Sequence, residues 1–67
     1  MPFVNIKTLK GALSTEQKKE LHERITDVMV QVEGRGSQQL RGMVMIFIEE
    51  LEPGNASMGG RQASDEF

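Results

Sequence analysis

The run Met43-Val44-Met45-Ile46-Phe47-Ile48 is apolar at every position, and in a chain this short it leaves few folds open. A strand with one wet face alternates apolar and polar residues. One without alternation is covered on both faces, as strands of a parallel sheet are. A second strand is legible near the start. Phe3-Val4-Asn5-Ile6-Lys7-Thr8-Leu9 is rich in β-branched residues, and the two-residue period puts Val4, Ile6 and Thr8 on one face. Strand, helix, strand in that order predicts a right-handed β-α-β unit with its two strands parallel. The fold class is therefore α/β (α+β).

The intervening helix has a readable start. After the connection Lys10-Gly11-Ala12-Leu13, the segment Ser14-Thr15-Glu16-Gln17 has the form of a capping box, with Ser14 as N-cap and Gln17 reaching back. Leu21, Ile25, Val28, Met29 and Val32 then recur at spacings of three and four, the pattern of one buried stripe. Glu16, Lys18, Lys19, Glu20, Glu23, Arg24 and Asp27 make a solvated face of both signs. Gly34 and Gly36 end the helix, and a loop from Gly34 to Gly42 leads into the apolar strand. Glu49-Glu50 closes that strand, Glu52-Pro53-Gly54-Asn55 is a turn, and the tail from Ala56 to Phe67 is too polar for a core of its own.

Size makes the fold incomplete. The 67 residues form one domain, 1–67, and a chain of about 60 residues buries only about 60% of the surface its unfolded form exposes. Such scaffolds add disulfides, a metal or oligomerisation. There is no cysteine and only one histidine, His22, which removes disulfides, thiolate chemistry and a structural zinc site. One helix covers one face of a two-stranded sheet, so the other face is left for a partner chain. A net charge of −2 lacks the basic patch of a nucleic-acid binder. No apolar run approaches the roughly 20 residues of a membrane span, and nothing resembles a secretion signal. The expected setting is cytoplasmic, with no nucleic-acid or membrane partner.

Chemistry enters at the second residue. Pro2 follows Met1 directly, and methionine aminopeptidases remove an initiator methionine ahead of a small residue such as proline. Removal turns Pro2 into a free secondary amine at the head of a hydrophobic strand. A reference α-amino group titrates near pH 7.7–8.0, and apolar surroundings or nearby cations lower that value by disfavouring the charged form. An amine so tuned is suited to general acid–base work. Phe3 and the apolar second strand supply apolar surroundings.

Pro2 opening Pro-Phe-Val-Asn-Ile, the helix start Ser14-Thr15-Glu16-Gln17-Lys18, a short apolar second strand ending in Glu50, and the later Met58-Gly59-Gly60 together resemble the 4-oxalocrotonate tautomerase family. Macrophage migration inhibitory factor belongs to its wider superfamily. The resemblance spans nearly the whole chain. It implies a β-α-β fold with a C-terminal β-hairpin, assembled as a hexamer that is a trimer of dimers. It also implies a processed amino-terminal proline, Pro2, that moves a proton between an enol and its keto form, with no cofactor and no metal.

The chain departs from the family at three places. Two family arginines hold the carboxylates of a diacid; their positions fall on Leu13 or Ala12 and on Met45. A family aromatic near the hairpin falls on Ala56. Arg41, in the longer loop, is the candidate to hold a substrate carboxylate in their place, since an arginine fork suits bidentate carboxylate binding. Phe3 and Met45 are the other candidate substrate-binding residues. Arg35 and Arg61 are read as solvated, Lys7 as an outer-face residue, and His22 as exposed on the helix flank. Glu49 and Glu50 point to opposite faces of the strand, and Gly59-Gly60 is hairpin geometry. The first functional reading is a tautomerase acting on a small keto/enol monoacid with an apolar tail, of the phenylpyruvate kind rather than 4-oxalocrotonate. The other readings are a non-catalytic or partner-dependent subunit of a hetero-oligomer, and a superfamily dehalogenase, decarboxylase or hydratase.

Overall fold

The computed structural model describes residues 2–63; Met1, on whose expected removal a free Pro2 amine depends, and residues 64–67 lie outside the described residues. β1 (Phe3–Leu9) and β2 (Met45–Leu51) pair in parallel, in a register that runs from Phe3↔Met45 to Leu9↔Leu51. α1 (Thr15–Val32) is the crossover between them. Its start agrees with the sequence: the Gln17 N–H donates to Ser14 Oγ at 3.1 Å and the Ser14 N–H to Gln17 Oε1 at 2.8 Å. Two of the helix's orphan donors are thus satisfied reciprocally, and a cap of this type contributes about 0.5–2 kcal/mol.

Three expectations need correcting. β2 begins at Met45 rather than Met43 and runs through Glu49 and Glu50 to Leu51, because Met43 and Val44 are held in a turn, donating to the Leu40 and Arg41 carbonyls. The apolar run is also not covered on both faces. Ile46 and Ile48 are half-buried under α1, as are Val4 and Ile6, whereas Phe3 is 66% and Phe47 46% exposed on the far face. One helix can cover only one face of two strands. Third, the apolar stripe of α1 is wider than the face the sheet covers. Leu21, Ile25 and Met29 are half-buried, but Val28 is exposed and Val32 is 73% exposed, while Val30, outside the expected stripe, is 3% exposed.

Val30 lies where the chain turns back at the C-terminal side of α1. There, within the expected loop, lies a short helix, α2 (Gln38–Arg41), and it folds back on α1. Gly36, at φ 87°, donates to the Val30 carbonyl at 2.9 Å, and Gly34 is wedged between Val30 of α1 and Leu40 of α2. A Cβ at Gly34 would lie 2.8 Å from Val30 O and 2.9 Å from Leu40 Cδ2. One of those atoms is backbone, so the fit cannot relax by a rotamer change. Gly34→Ala is expected to destabilise the protein by about 1–3 kcal/mol, the usual range for overpacking, read as a lowered thermal unfolding midpoint.

After β2, Pro53–Asn55 make one 3-10 turn, and β3 (Ser57–Met58) pairs antiparallel with β4 (Arg61–Gln62). Gly59 and Gly60 connect them with φ of 60° and 85°, as a two-residue hairpin of this hand requires. The expected C-terminal hairpin is present. Ala63, 2% exposed, anchors its end by donating to the Ala56 carbonyl at 2.9 Å.

Lys18 and Glu50 tie helix to sheet. Lys18, expected on the solvated face, is half-buried and its Nζ lies 2.5 Å from Glu50 Oε1. The Lys18 ammonium holds the Glu50 carboxyl below its ordinary range; the Gly11 N–H and Lys10 act in the same direction, against partial burial. A carboxylate with a lowered folded pKa contributes stability that is present above its unfolded pKa and lost as pH falls through the folded one. Glu50→Gln is therefore expected to unfold at a lower temperature than the parent at pH 7. The gap should begin to narrow as pH drops below the ordinary glutamate value of about 4.3 and close only below the lowered folded value, as melting curves across that range would read directly.

Candidate active site

A proline at the head of a strand loses no ladder bond by lacking an N–H, and Pro2 still joins the sheet through its carbonyl, which accepts from the Met45 N–H at 3.0 Å. That bond fixes Pro2, half-buried, beside the start of β2. The register sets Phe3 directly opposite Met45, so Pro2, Phe3 and Met45 are brought together at one end of the sheet. The outer face continues with Asn5 beside Phe47 and Lys7 beside Glu49, and Asn5 Nδ2 donates to Glu49 Oε1 at 2.9 Å. Glu49 and Glu50 do point to opposite faces, one to Asn5 and the other to Lys18.

Arg41 approaches the same end from the helix side. From Lys18, level with Glu50 and Thr8, α1 runs back toward the start of β1. Its advance to Asp27 is about 13 Å at ~1.5 Å per residue. The same ~13 Å along β1 at ~3.3 Å per residue leads from Thr8 to Val4. Asp27 is thus level with the proline end of the sheet, and Arg41 Nη1 lies 2.7 Å from Asp27 Oδ1. Arg41 is also one turn from β2: its carbonyl accepts from the Val44 N–H at 3.4 Å. The Arg41 guanidinium therefore meets an acid of α1 rather than the Phe3–Met45 pair. In the sequence Asp27 is one more charge of a solvated face, and no signal links it to a residue on α2.

The other candidates are scattered. Arg35, with a left-handed φ of 51°, sits in the turn after α1; Arg61 pairs with Met58 in the hairpin; His22 is exposed. Leu13, which with Ala12 is one of the two positions the resemblance assigns to a family arginine, lines an open groove along α1 with Leu21, Arg24, Ile25 and Val28. Ala56, at the place of the missing aromatic, is half-buried and carries the Ala63 bond. No helix among the described residues is long and apolar enough to cross a membrane.

A parallel strand pair crossed by one helix, led by a proline and finished by a two-glycine hairpin, is the tautomerase architecture. The profile of the tautomerase family, described as tautomerase enzyme, matches residues 2–66, and the chain belongs to that family. It is 32% identical over 65 residues to a probable tautomerase of Dickeya dadantii, covering 97% of this chain and 91% of that protein. The crystal structure of DmpI from Helicobacter pylori superposes with a TM-score of 0.76 at 30% identity, covering 96% of this chain and 92% of that one. A heterohexameric 4-oxalocrotonate tautomerase from Chloroflexus aurantiacus superposes with a TM-score of 0.80 at 25% identity, over the full length of both chains.

Proposed function

We propose that the protein is a keto–enol tautomerase whose general acid–base is the amine of Pro2, freed by removal of Met1, and whose substrate is a small keto/enol monoacid with an apolar tail. The observation that carries this reading is the seat of Pro2: half-buried, held by its carbonyl to Met45, and next to the apolar Phe3–Met45 pair. In the enolising direction the neutral amine takes a proton from the carbon next to the ketone, the electron pair of that C–H bond becomes the C=C bond, and the C=O π pair moves to oxygen, which takes a proton from water. In the ketonising direction the protonated amine gives its proton to carbon while the enol oxygen returns its own to water and the C=O bond re-forms. Apolar neighbours keep the amine from being locked in its charged form, and a cation such as Arg41 acts in the same direction while it binds the carboxylate. Met45 and Leu13, standing where arginines would grip a second carboxylate, favour a monoacid over a diacid.

The working form in this reading is a cytoplasmic homohexamer. The exposed Phe3 and Phe47 of the sheet and the exposed Val28 and Val32 of α1 support two separate contacts with other copies. Loss of the family arginines also favours a second reading, in which a different chain of a mixed hexamer supplies them, as the heterohexameric Chloroflexus relative makes concrete. Native mass spectrometry separates the two, because an obligate mixed assembly forms no stable homohexamer. The function itself is tested by following ketonisation of the phenylpyruvate enol by its ultraviolet absorbance. The reading expects a rate well above buffer and weaker action on a 2-hydroxydienedioate. A rate equal to buffer for the homohexamer would overturn it.

A further inference from the structure

We propose that Asp27 is a positioning residue for substrate binding: it holds the Arg41 guanidinium at the proline end of the sheet with one edge left to take the substrate carboxylate. This inference rests on the reading of Pro2 as the acid–base group. Its grounds are geometric. α1 brings Asp27 level with the start of β1, α2 brings Arg41 one turn before Met45, and the two side chains meet at 2.7 Å. Among the described residues Asp27 is the polar partner of the Arg41 side chain, and the contact is through Nη1. A guanidinium presents five N–H donors in a fixed fork. The ion pair at Nη1 draws the group toward α1 and leaves the Nε–Nη2 edge for a parallel, two-bond grip on a carboxylate.

Stability does not account for the pair. Both side chains are largely exposed, 42% for Arg41 and 62% for Asp27, and an ion pair that exposed contributes little to folding. Its consequence is orientation. Arginine carries a large rotamer entropy, so an unanchored Arg41 would give up that freedom each time substrate binds. A prior anchor removes the cost from the binding step.

The pair joins α1 to the loop that carries Arg41. Arg41 belongs to the longer loop, and the absence of a Cβ at Gly34 leaves room for Leu40 of α2 against the end of α1. The clamp thus comes from the segment between α1 and β2, and its anchor from α1.

Equilibrium binding of trans-cinnamate, an inert monocarboxylate, and of its neutral amide tests the proposal without needing turnover. Arg41→Gln is expected to weaken cinnamate binding by about 10-fold or more, the range of a charge-assisted hydrogen bond, and Asp27→Asn by about 3- to 10-fold, the range for ordering one long side chain. In the Arg41→Gln background, Asp27→Asn should add nothing, and amide binding should be the same in all four proteins. With the phenylpyruvate enol, Asp27→Asn should raise KM by the same factor and leave kcat within about 2-fold, the signature of lost uniform binding. The proposal is overturned if Asp27→Asn leaves cinnamate binding unchanged or tightens it, if its effect persists without Arg41, or if the amide responds equally. Absence of cinnamate binding by the parent protein overturns it as well. Binding in the expected pattern without enol turnover would remove the reading of Pro2 alone, and turnover with an Asp27→Asn KM equal to the parent's would remove this inference alone. Thermal melts of the variants, with both sites on the surface, confirm that each is folded.

Discussion

A form of the protein that keeps any residue ahead of Pro2 is expected to lose enol ketonisation by about 10²–10⁴-fold, the usual contribution of a positioned general acid–base group. Acylation turns the amine into an amide, which has no basic lone pair, so the loss should appear in kcat as well as in kcat/KM. The fold should be untouched. Pro2 enters the sheet through its carbonyl, bonded to the Met45 N–H, and an added residue leaves that bond intact. Equal melting temperatures with a collapse of turnover would locate the effect in the nitrogen rather than in folding. Pro2→Ala, which keeps a primary amine, should fall between the two.

Phe47→Asp is expected to dissociate the proposed hexamer and lower the melting temperature by about 10–20 °C. Phe47 lies in the middle of the outer sheet face, between Phe3 and Glu49, and is 46% exposed in the single chain. Covering such a ring is worth about 1.5–3 kcal/mol, and in a domain of this size each kcal/mol moves the midpoint by about 4–8 °C. The aspartate adds the cost of desolvating a charge. The effect should be large because the core within one chain is slight: among the described residues, Val30 and Ala63 are the buried hydrophobic ones. Size-exclusion chromatography with light scattering reads the assembly and a thermal melt reads the stability. Glu23→Ala, on the exposed face of α1, serves as a control and should stay within about 0.5 kcal/mol. An unchanged assembly in Phe47→Asp would mean that the sheet face is not a contact.

The parts of the fold legible in the sequence are those fixed locally. The Ser14–Gln17 box, the alternation of Val4, Ile6 and Thr8, and the positive φ of Gly59 and Gly60 each depend on neighbours a few residues away. The order strand, helix, strand is enough to set the parallel pairing. The start of β2 is not legible, since in a run apolar throughout nothing distinguishes Met43 in a turn from Met45 in the ladder. The buried flank of α1 escapes for a related reason. Its apolar stripe carries residues for more than one contact, and Val28 and Val32 belong to the part the sheet of one chain leaves uncovered. The ion pairs Lys18–Glu50 and Arg41–Asp27 join residues of different elements, and charged side chains in a solvated helical pattern give no sign of such partners. So the sequence leads to Pro2, Phe3 and Met45, while the surroundings of Arg41 come only from the fold.

The central claim is that Pro2 carries a free, unprotonated amine at working pH. Intact mass spectrometry before and after incubation with bromopyruvate at neutral pH tests it most directly, because the reagent alkylates a neutral amine. The account predicts a mass lacking Met1 that gains one adduct, mapped to the Pro2 nitrogen by fragmentation, with turnover lost in step with labelling. A protein from its native source that retains Met1, or one with a free Pro2 that stays unlabelled while remaining folded, would contradict it.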